Sequence, residues 1–312
     1  MGMPNSVEII EVGMRDGLQM EASFVPTSTK VELVNALIDA GITRLEATSF
    51  VSPRAVPQLS DAAQVLALAN RPQGVEYSVL APNRKGVERA IAAKADEVVV
   101  FLSASESHNQ KNLNRSIERS LQDIGEIAET LAGTGIKRKG AAAVAFGCPF
   151  EGDIAMSTLK SIVGRFDALG FDTVTLGDTT GMATPKLVKR TVGELQSAFP
   201  RIKLSLHFHN TRGIGLVNVV AGLEAGVSSF ESSIGGLGGC PFAPGASGNI
   251  CTEDLVYLMH EMGIHTGVDL EKLIDVSLRM EAILGRSLPG QVMKAGPRSR
   301  LHEIENAACA MG

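Results

Sequence analysis

Short β-branched runs alternating with amphipathic stretches predict an α/β chain. Eight such pairs within 312 residues, at about 30 residues each, predict that the strands close into a (β/α)8 TIM barrel. A negative observation agrees: no Gly-x-Gly-x-x-Gly follows the first run and no phosphate-loop motif occurs anywhere, which argues against an open nucleotide-binding sheet. Glycine also recurs just past helix ends, at Gly41, Gly170, Gly226 and Gly263, where a left-handed cap is expected.

The strands are predicted at 7–12, 44–49, 76–80, 97–102, 140–146, 173–176, 203–209 and 228–233. Their β-branched and aromatic content supports each reading, most plainly in the Val98-Val99-Val100-Phe101-Leu102 run. The helices follow at 29–40, 60–69, 85–93, 117–131, 158–169, 185–198, 216–225 and 252–262. In each the apolar residues recur at helical spacing, as in Leu33, Val34 and Leu37 or Leu159, Ile162, Val163 and Phe166. A further amphipathic segment at 270–284 is expected outside the barrel or at a contact between subunits. From about Met293 the chain reads as polar and irregular, so the expected division is a barrel domain with its extra helix over 1–290 and a flexible tail over 291–312.

Composition excludes several classes. The 29 basic and 34 acidic residues give a net charge of −5, which offers no electrostatic footprint for nucleic acid. No apolar run approaches the roughly 20 residues of a membrane span. No signal peptide is read at the start, and the terminal matches to lipidation boxes are loose, so a soluble cytoplasmic protein is expected. Cys148, Cys240, Cys251 and Cys309 lack the spacing of a disulfide framework or a structural zinc site.

In such a barrel, chemistry belongs at the carboxyl ends of the strands. Strand one ends in Arg15-Asp16-Gly17, strand two carries Glu46, strand six ends in Gly177-Asp178-Thr179, and strand seven ends in His207-Phe208-His209-Asn210. Residues two apart on a strand face the same side, so both imidazoles can enter the barrel mouth. Closure sets strands seven, eight, one and two side by side. Asp16, His207, His209 and Asn249 can therefore surround one ion, with Glu46 placed to support them. Imidazoles with added carboxylate and amide oxygens suit Mg²⁺ or Mn²⁺. The competing reading of Arg15 is a plain ion pair with Glu46.

Cys240 lies in a glycine-dense loop, 235–249, whose thiol can serve as a proton donor or acceptor. Cys148 sits in the repeated tetrapeptide Gly147-Cys148-Pro149-Phe150 and reads as packing. His108 begins a polar cluster with Asn109, Lys111, Asn112 and Arg115, which either touches an anionic substrate or is solvated loop charge. His260, His265 and His302 read as surface residues.

Val12-Gly13-Met14-Arg15-Asp16-Gly17-Leu18-Gln19, Glu46-Ala47-Thr48-Ser49-Phe50, Leu176-Gly177-Asp178-Thr179, His207-Phe208-His209 and the loop from Gly235 to Asn249 together resemble the 3-hydroxy-3-methylglutaryl-CoA lyase family of metal-dependent barrels. The similarity runs from about residue 7 to 284. It implies that Asp16, His207, His209 and Asn249 hold Mg²⁺ or Mn²⁺, and that Arg15, Glu46, Asp178, His207 and Cys240 carry the catalysis. The implied reaction is retro-Claisen cleavage of a 3-hydroxyacyl-CoA thioester to acetyl-CoA and, for the parent substrate, acetoacetate.

Departures from the family pattern fall around the acyl group. Gln19-Met20-Glu21-Ala22 lacks a Lys common in such lyases, Ala141 and Ala143 stand where Tyr and Ser are common, and Asn210-Thr211-Arg212-Gly213 replaces Asp-Thr-Tyr-Gly. Two alternatives therefore stand beside the parent reaction: a lyase for a related branched or hydroxy-dicarboxyl-CoA thioester, and a Claisen-type synthase acting on a 2-oxo acid. A non-catalytic acyl-CoA-binding or metal-binding barrel is a third. The expected partners are the acyl-CoA substrate and further copies of the chain, with neither nucleic acid nor membrane.

Overall fold

The computed structural model describes residues 2–239 and 248–301. Its strands are β1 (Glu8–Glu11), β2 (Arg44–Ser49), β3 (Glu76–Leu80), β4 (Glu97–Ser103), β5 (Lys137–Ala143), β6 (Thr173–Asp178), β7 (Lys203–Phe208) and β8 (Ser229–Ser232). All pair in parallel in sequence order, and β8 pairs back to β1, closing the predicted barrel. The helices α1 (Thr27–Asp39), α2 (Ala62–Leu68), α3 (Arg84–Ala92), α4 (Glu106–Leu113), α5 (Ile117–Thr130), α6 (Met156–Ala168), α7 (Pro185–Ala198) and α8 (Gly215–Glu224) connect them. Beyond β8 come α9 (Thr252–Glu261), α10 (Leu270–Leu284) and α11 (Val292–Ala295).

The two faces of the strands do different work. Outward side chains such as Leu45, Tyr77, Val98, Val174, Leu206 and Phe230 are fully buried and join one apolar layer with the helices, represented by Leu33, Val87, Phe166 and Val192. Burying each such side chain contributes about 1.5–3 kcal/mol, so this layer is the main source of stability. The interior is instead ionic. Arg44 on β2 donates to Glu97 on β4 at 3.0 Å, and Lys139 on β5 donates to Glu231 on β8 at 2.5 Å. Neither pair lies on adjacent strands, so both bonds run through the barrel. Capping fixes where helices begin: Asn83, Ser116, Thr184 and Asp269 accept from first-turn N–H groups, each worth about 1 kcal/mol.

Three expectations are corrected. Strand five starts and ends three residues before the predicted 140–146, because charged Lys137 and Lys139 are strand residues satisfied by Glu76 and Glu231. It stops where Val144 turns to a left-handed φ of 52°. The polar 106–113 stretch is a helix, α4, capped by Ser105 and closed by Asn114 at φ 54°. The segment from Met293 does not begin as irregular chain: α11 packs with Val292 and Met293 buried.

Candidate active site

β1 runs into a wide π-type turn, Gly13–Gly17, in which the Val12 carbonyl accepts from the N–H groups of both Asp16 (2.7 Å) and Gly17 (3.4 Å). Such turns rotate side chains out of the ordinary helical register. Buried Glu11 braces this one, accepting from the N–H of Gly13 at 2.7 Å, the N–H of Ile234 at 3.0 Å and the hydroxyl of Thr252. A Cβ on residue 13 would come within 2.6 Å of that carboxylate, which is why glycine stands there.

The turn delivers Arg15 and Asp16 to the mouth. Arg15 donates through Nη1 to Asp16 Oδ1 at 2.6 Å and through Nη2 to Glu46 Oε2 at 2.7 Å. The plain ion pair with Glu46 is thus present, and the same guanidinium also lines the cavity. From β7, His207 and His209 bring their Nε2 atoms to 3.0 Å of each other. His209 bridges to Asn249, whose amide donates to Asp16 Oδ2 at 2.8 Å and to the Leu237 carbonyl at 2.9 Å. Asp16, His207 and His209 each offer a ligand atom within 4.8 Å of the others.

This cluster passes a test for a dication. Buried Asn249 Oδ1 accepts from no donor among the described residues, although its own N–H groups are both used. An acceptor left so is costly unless something electropositive meets it. One carboxylate, two imidazoles and one amide oxygen form a donor set suited to Mg²⁺ or Mn²⁺.

Burial alone would raise the Asp16 carboxyl, but Arg15 and the two imidazoles outweigh it and hold it below the usual range. Burial opposes charge on His207, yet the bond from its Nδ1 to Glu231 at 2.8 Å raises its pKa. Glu231 stays well below the ordinary carboxylate range in spite of burial, because Lys139 and His207 both face it. Thr175 also donates to it, at 2.7 Å. Glu46 is raised, since burial exceeds the pull of Arg15.

The sequence reasoning missed Glu231 and Lys139. Glu231 stands directly opposite His207 in the β7–β8 register, a relation visible only once those strands are paired. Asp178 does not line the cavity: its Oδ1 accepts from the N–H of Met182 at 2.7 Å and of Ala183 at 3.0 Å, bracing the turn after β6. Cys240 lies outside the described residues, as do His302 and Cys309. Cys148 is buried under the Ser105 hydroxyl at 2.9 Å, a packing position. The mouth encloses a cavity of about 170 Å³, with Arg15, Asp16, His207 and His209 on one side and Leu80, Phe101 and Ala141 on another.

The chain matches the HMGL-like family model over residues 6–279. A mitochondrial hydroxymethylglutaryl-CoA lyase from Gallus gallus is 43% identical over 295 residues, covering 95% of this chain and 99% of the relative. The mitochondrial enzyme of that name from Homo sapiens is 43% identical over 293 residues, covering 94% and 90% respectively. An HMG-CoA lyase structure from Acinetobacter baumannii, in complex with coenzyme A and 3-methylmalate, superposes with a TM-score of 0.92 at 46% identity, covering 96% of this chain and 98% of that one. By fold and by sequence along nearly its whole length, this chain belongs to the HMGL-like family.

Proposed function

We propose that this carbon–carbon lyase cleaves 3-hydroxy-3-methylglutaryl-CoA to acetyl-CoA and acetoacetate. The observation that carries the reading is the convergence of Asp16, His207, His209 and Asn249 beside the Arg15 guanidinium, in a chain whose relatives bear that activity in their names. The Acinetobacter baumannii neighbour, solved with coenzyme A and a hydroxy-dicarboxylate, supports an acyl-CoA thioester as the ligand.

Asp16, His207, His209 and Asn249 would hold Mg²⁺ or Mn²⁺, which when bound supplies Lewis acidity at the substrate's 3-hydroxyl. The proton of that hydroxyl passes to His207 or Asp16. The bond between C2 and C3 breaks, and its electron pair moves through C2 to the thioester oxygen. Arg15 stabilises the enolate so formed. Glu46 holds the guanidinium in place from the far side, at 2.7 Å. Cys240 is the proposed proton donor to C2, completing acetyl-CoA, while the C3 fragment leaves as acetoacetate. Asp178 is assigned support of the β6 turn.

The test is cleavage of 3-hydroxy-3-methylglutaryl-CoA with added Mg²⁺ or Mn²⁺, following both products. Turnover abolished by EDTA and by His209→Ala is expected; full activity in metal-free enzyme would overturn the metal assignment. Absence of turnover by folded, metal-loaded protein would overturn the substrate. The homo-oligomer stays a proposal, supported by Leu278 and Ile283, which α10 exposes. Among the described residues no helix is long and apolar enough to cross a membrane. The relatives named above are mitochondrial, so they lend the cytoplasmic expectation no support.

A further inference from the structure

The cavity is polar at one end and largely apolar at the other. Strands β3, β4 and β5 stand across the barrel from β7, β8 and β1, and contribute Leu80, Val99, Phe101, Ala141 and Ala143. Set into this wall is one imidazole, that of His108 from the start of α4. It is 1% exposed. Its ring is anchored at Nδ1, 2.7 Å from the Ser103 hydroxyl, while the backbone N–H of residue 108 donates to the capping Ser105 hydroxyl at 3.2 Å. Ser103 pairs in register with Ala143, so the anchored ring adjoins the part of the wall with the smallest side chains.

The remainder of the polar cluster around His108 divides by task. Asn109 accepts from the Ser103 N–H at 2.8 Å and donates to the Arg115 carbonyl and the Ser120 hydroxyl, both at 2.9 Å. Arg115 pairs with Asp123. These two shape α4 and α5. Of the cluster, His108 and Asn112 line the cavity, and His108 is the one whose ring is anchored from behind by Ser103. Burial lowers its pKa; Glu151 opposes that, and Lys111, whose ammonium lies 4.8 Å from the Phe150 ring centre, adds to it. The ring therefore meets a ligand as a neutral hydrogen-bonding group with a cation nearby. At the other end Arg15 is committed to Asp16 and Glu46.

We infer that His108 is a specificity residue, binding the free carboxylate at the far end of a 3-hydroxydicarboxylic acyl chain. The inference rests on the acyl-CoA lyase reading and adds how the substrate's acidic end is recognised. A site that hydrogen-bonds a charged group discriminates strongly against an analogue lacking it. The pair that isolates this is 3-hydroxy-3-methylglutaryl-CoA and 3-hydroxy-3-methylbutyryl-CoA, which share a branched skeleton and differ in the terminal carboxylate.

Binding of both esters to EDTA-treated enzyme, which should turn neither over, is to be measured by calorimetry in wild type, His108→Phe and Ser103→Ala. Wild type should favour the carboxylate ester by roughly tenfold or more. The preference should vanish in H108F while coenzyme A alone binds as before. S103A, which keeps the ring but frees it, should lose part of the preference and decides the matter if H108F does not fold. An unchanged ratio in a folded H108F, an unchanged ratio in S103A, or no preference in wild type would overturn the assignment. Turnover of the dicarboxylic ester by metal-loaded wild type is assayed alongside. Turnover with an unchanged ratio removes His108 and leaves the lyase; a His108-dependent ratio without turnover keeps the carboxylate site and removes the lyase.

Discussion

Glu231 illustrates how one side chain outside the ligand set can govern it. Its carboxylate is shared between His207 Nδ1 at 2.8 Å and Lys139 Nζ at 2.5 Å, which holds the imidazole with Nε2 turned towards His209. Glu231→Gln keeps the volume but removes the charge, leaving Lys139 buried without its counter-ion. Loss of such a supporting partner typically lowers metal affinity about 10–100-fold. Mn²⁺ titration by calorimetry or electron paramagnetic resonance should show that loss, and an unchanged affinity would make Glu231 merely structural. Arg15→Met tests a different link: cleavage should slow by about two powers of ten or more, as for loss of an enolate-stabilising donor. Mn²⁺ binding should persist in that variant, because Arg15 is not a ligand. An unimpaired rate would remove Arg15 from the chemistry. His207 and His209 were legible in the sequence because a strand repeats every two residues, and Arg15-Asp16 because it follows a strand. Glu231 was not, since an acidic residue in Ser229-Phe230-Glu231-Ser232 acquires meaning only from the register with β7.

The same limit operates at the scale of an element in β5. Its first residues, Lys137, Arg138 and Lys139, do not resemble strand sequence, and the β-branched signal is absent from Gly140 to Ala143. What makes them a strand is the buried Glu231 that meets Lys139, with Glu76 pairing Lys137 at the exposed end, a tertiary fact that overrides local propensity. The helix α10, by contrast, was readable to the residue from its amphipathic periodicity; in the structure Asp269 caps its start and the left-handed Gly285 ends it at φ 63°. Packing of β5 against α6 depends on Gly140, where a Cβ would come within 2.6 Å of the Phe166 ring. Phe166 is fully buried and cannot swing into solvent. Gly140→Ala should therefore cost about 1–3 kcal/mol of stability, the usual range for overpacking. Chemical denaturation should also show that the double variant Gly140→Ala with Phe166→Leu falls short of the summed single losses, because the smaller side chain makes room. Simple additivity would mean that the strand and helix separate without contact between these two positions.

At the scale of the whole molecule, an ionic barrel wrapped in an apolar layer makes stability depend on pH in two opposed ways. Glu11 and Asp178 are pushed up to about 7 and Glu253 to about 8, in each case by burial that exceeds the hydrogen bonds reaching the carboxylate. The folded chain keeps these protons to a higher pH than the unfolded chain, so it binds more protons from the ordinary carboxyl range upward. Their contribution to stability then falls as pH rises through that window and is fully lost by about 7 to 8. Glu8, Asp16 and Glu231 are held down instead, and their contribution is lost as pH falls below the usual carboxylate range. Calorimetric Tm values in EDTA should thus peak in mild acid and decline on both sides. Glu11→Gln isolates the alkaline limb. The amide can still accept from the N–H groups of Gly13 and Ile234 and can donate to the Thr252 hydroxyl, so the variant should match wild type near pH 5. By pH 8 it should be the more stable protein by up to about 3 kcal/mol, the free energy of its shift from 4.5 to about 7. Parallel Tm curves for the two proteins would mean that Glu11 is ionised throughout, held by those three bonds against its burial.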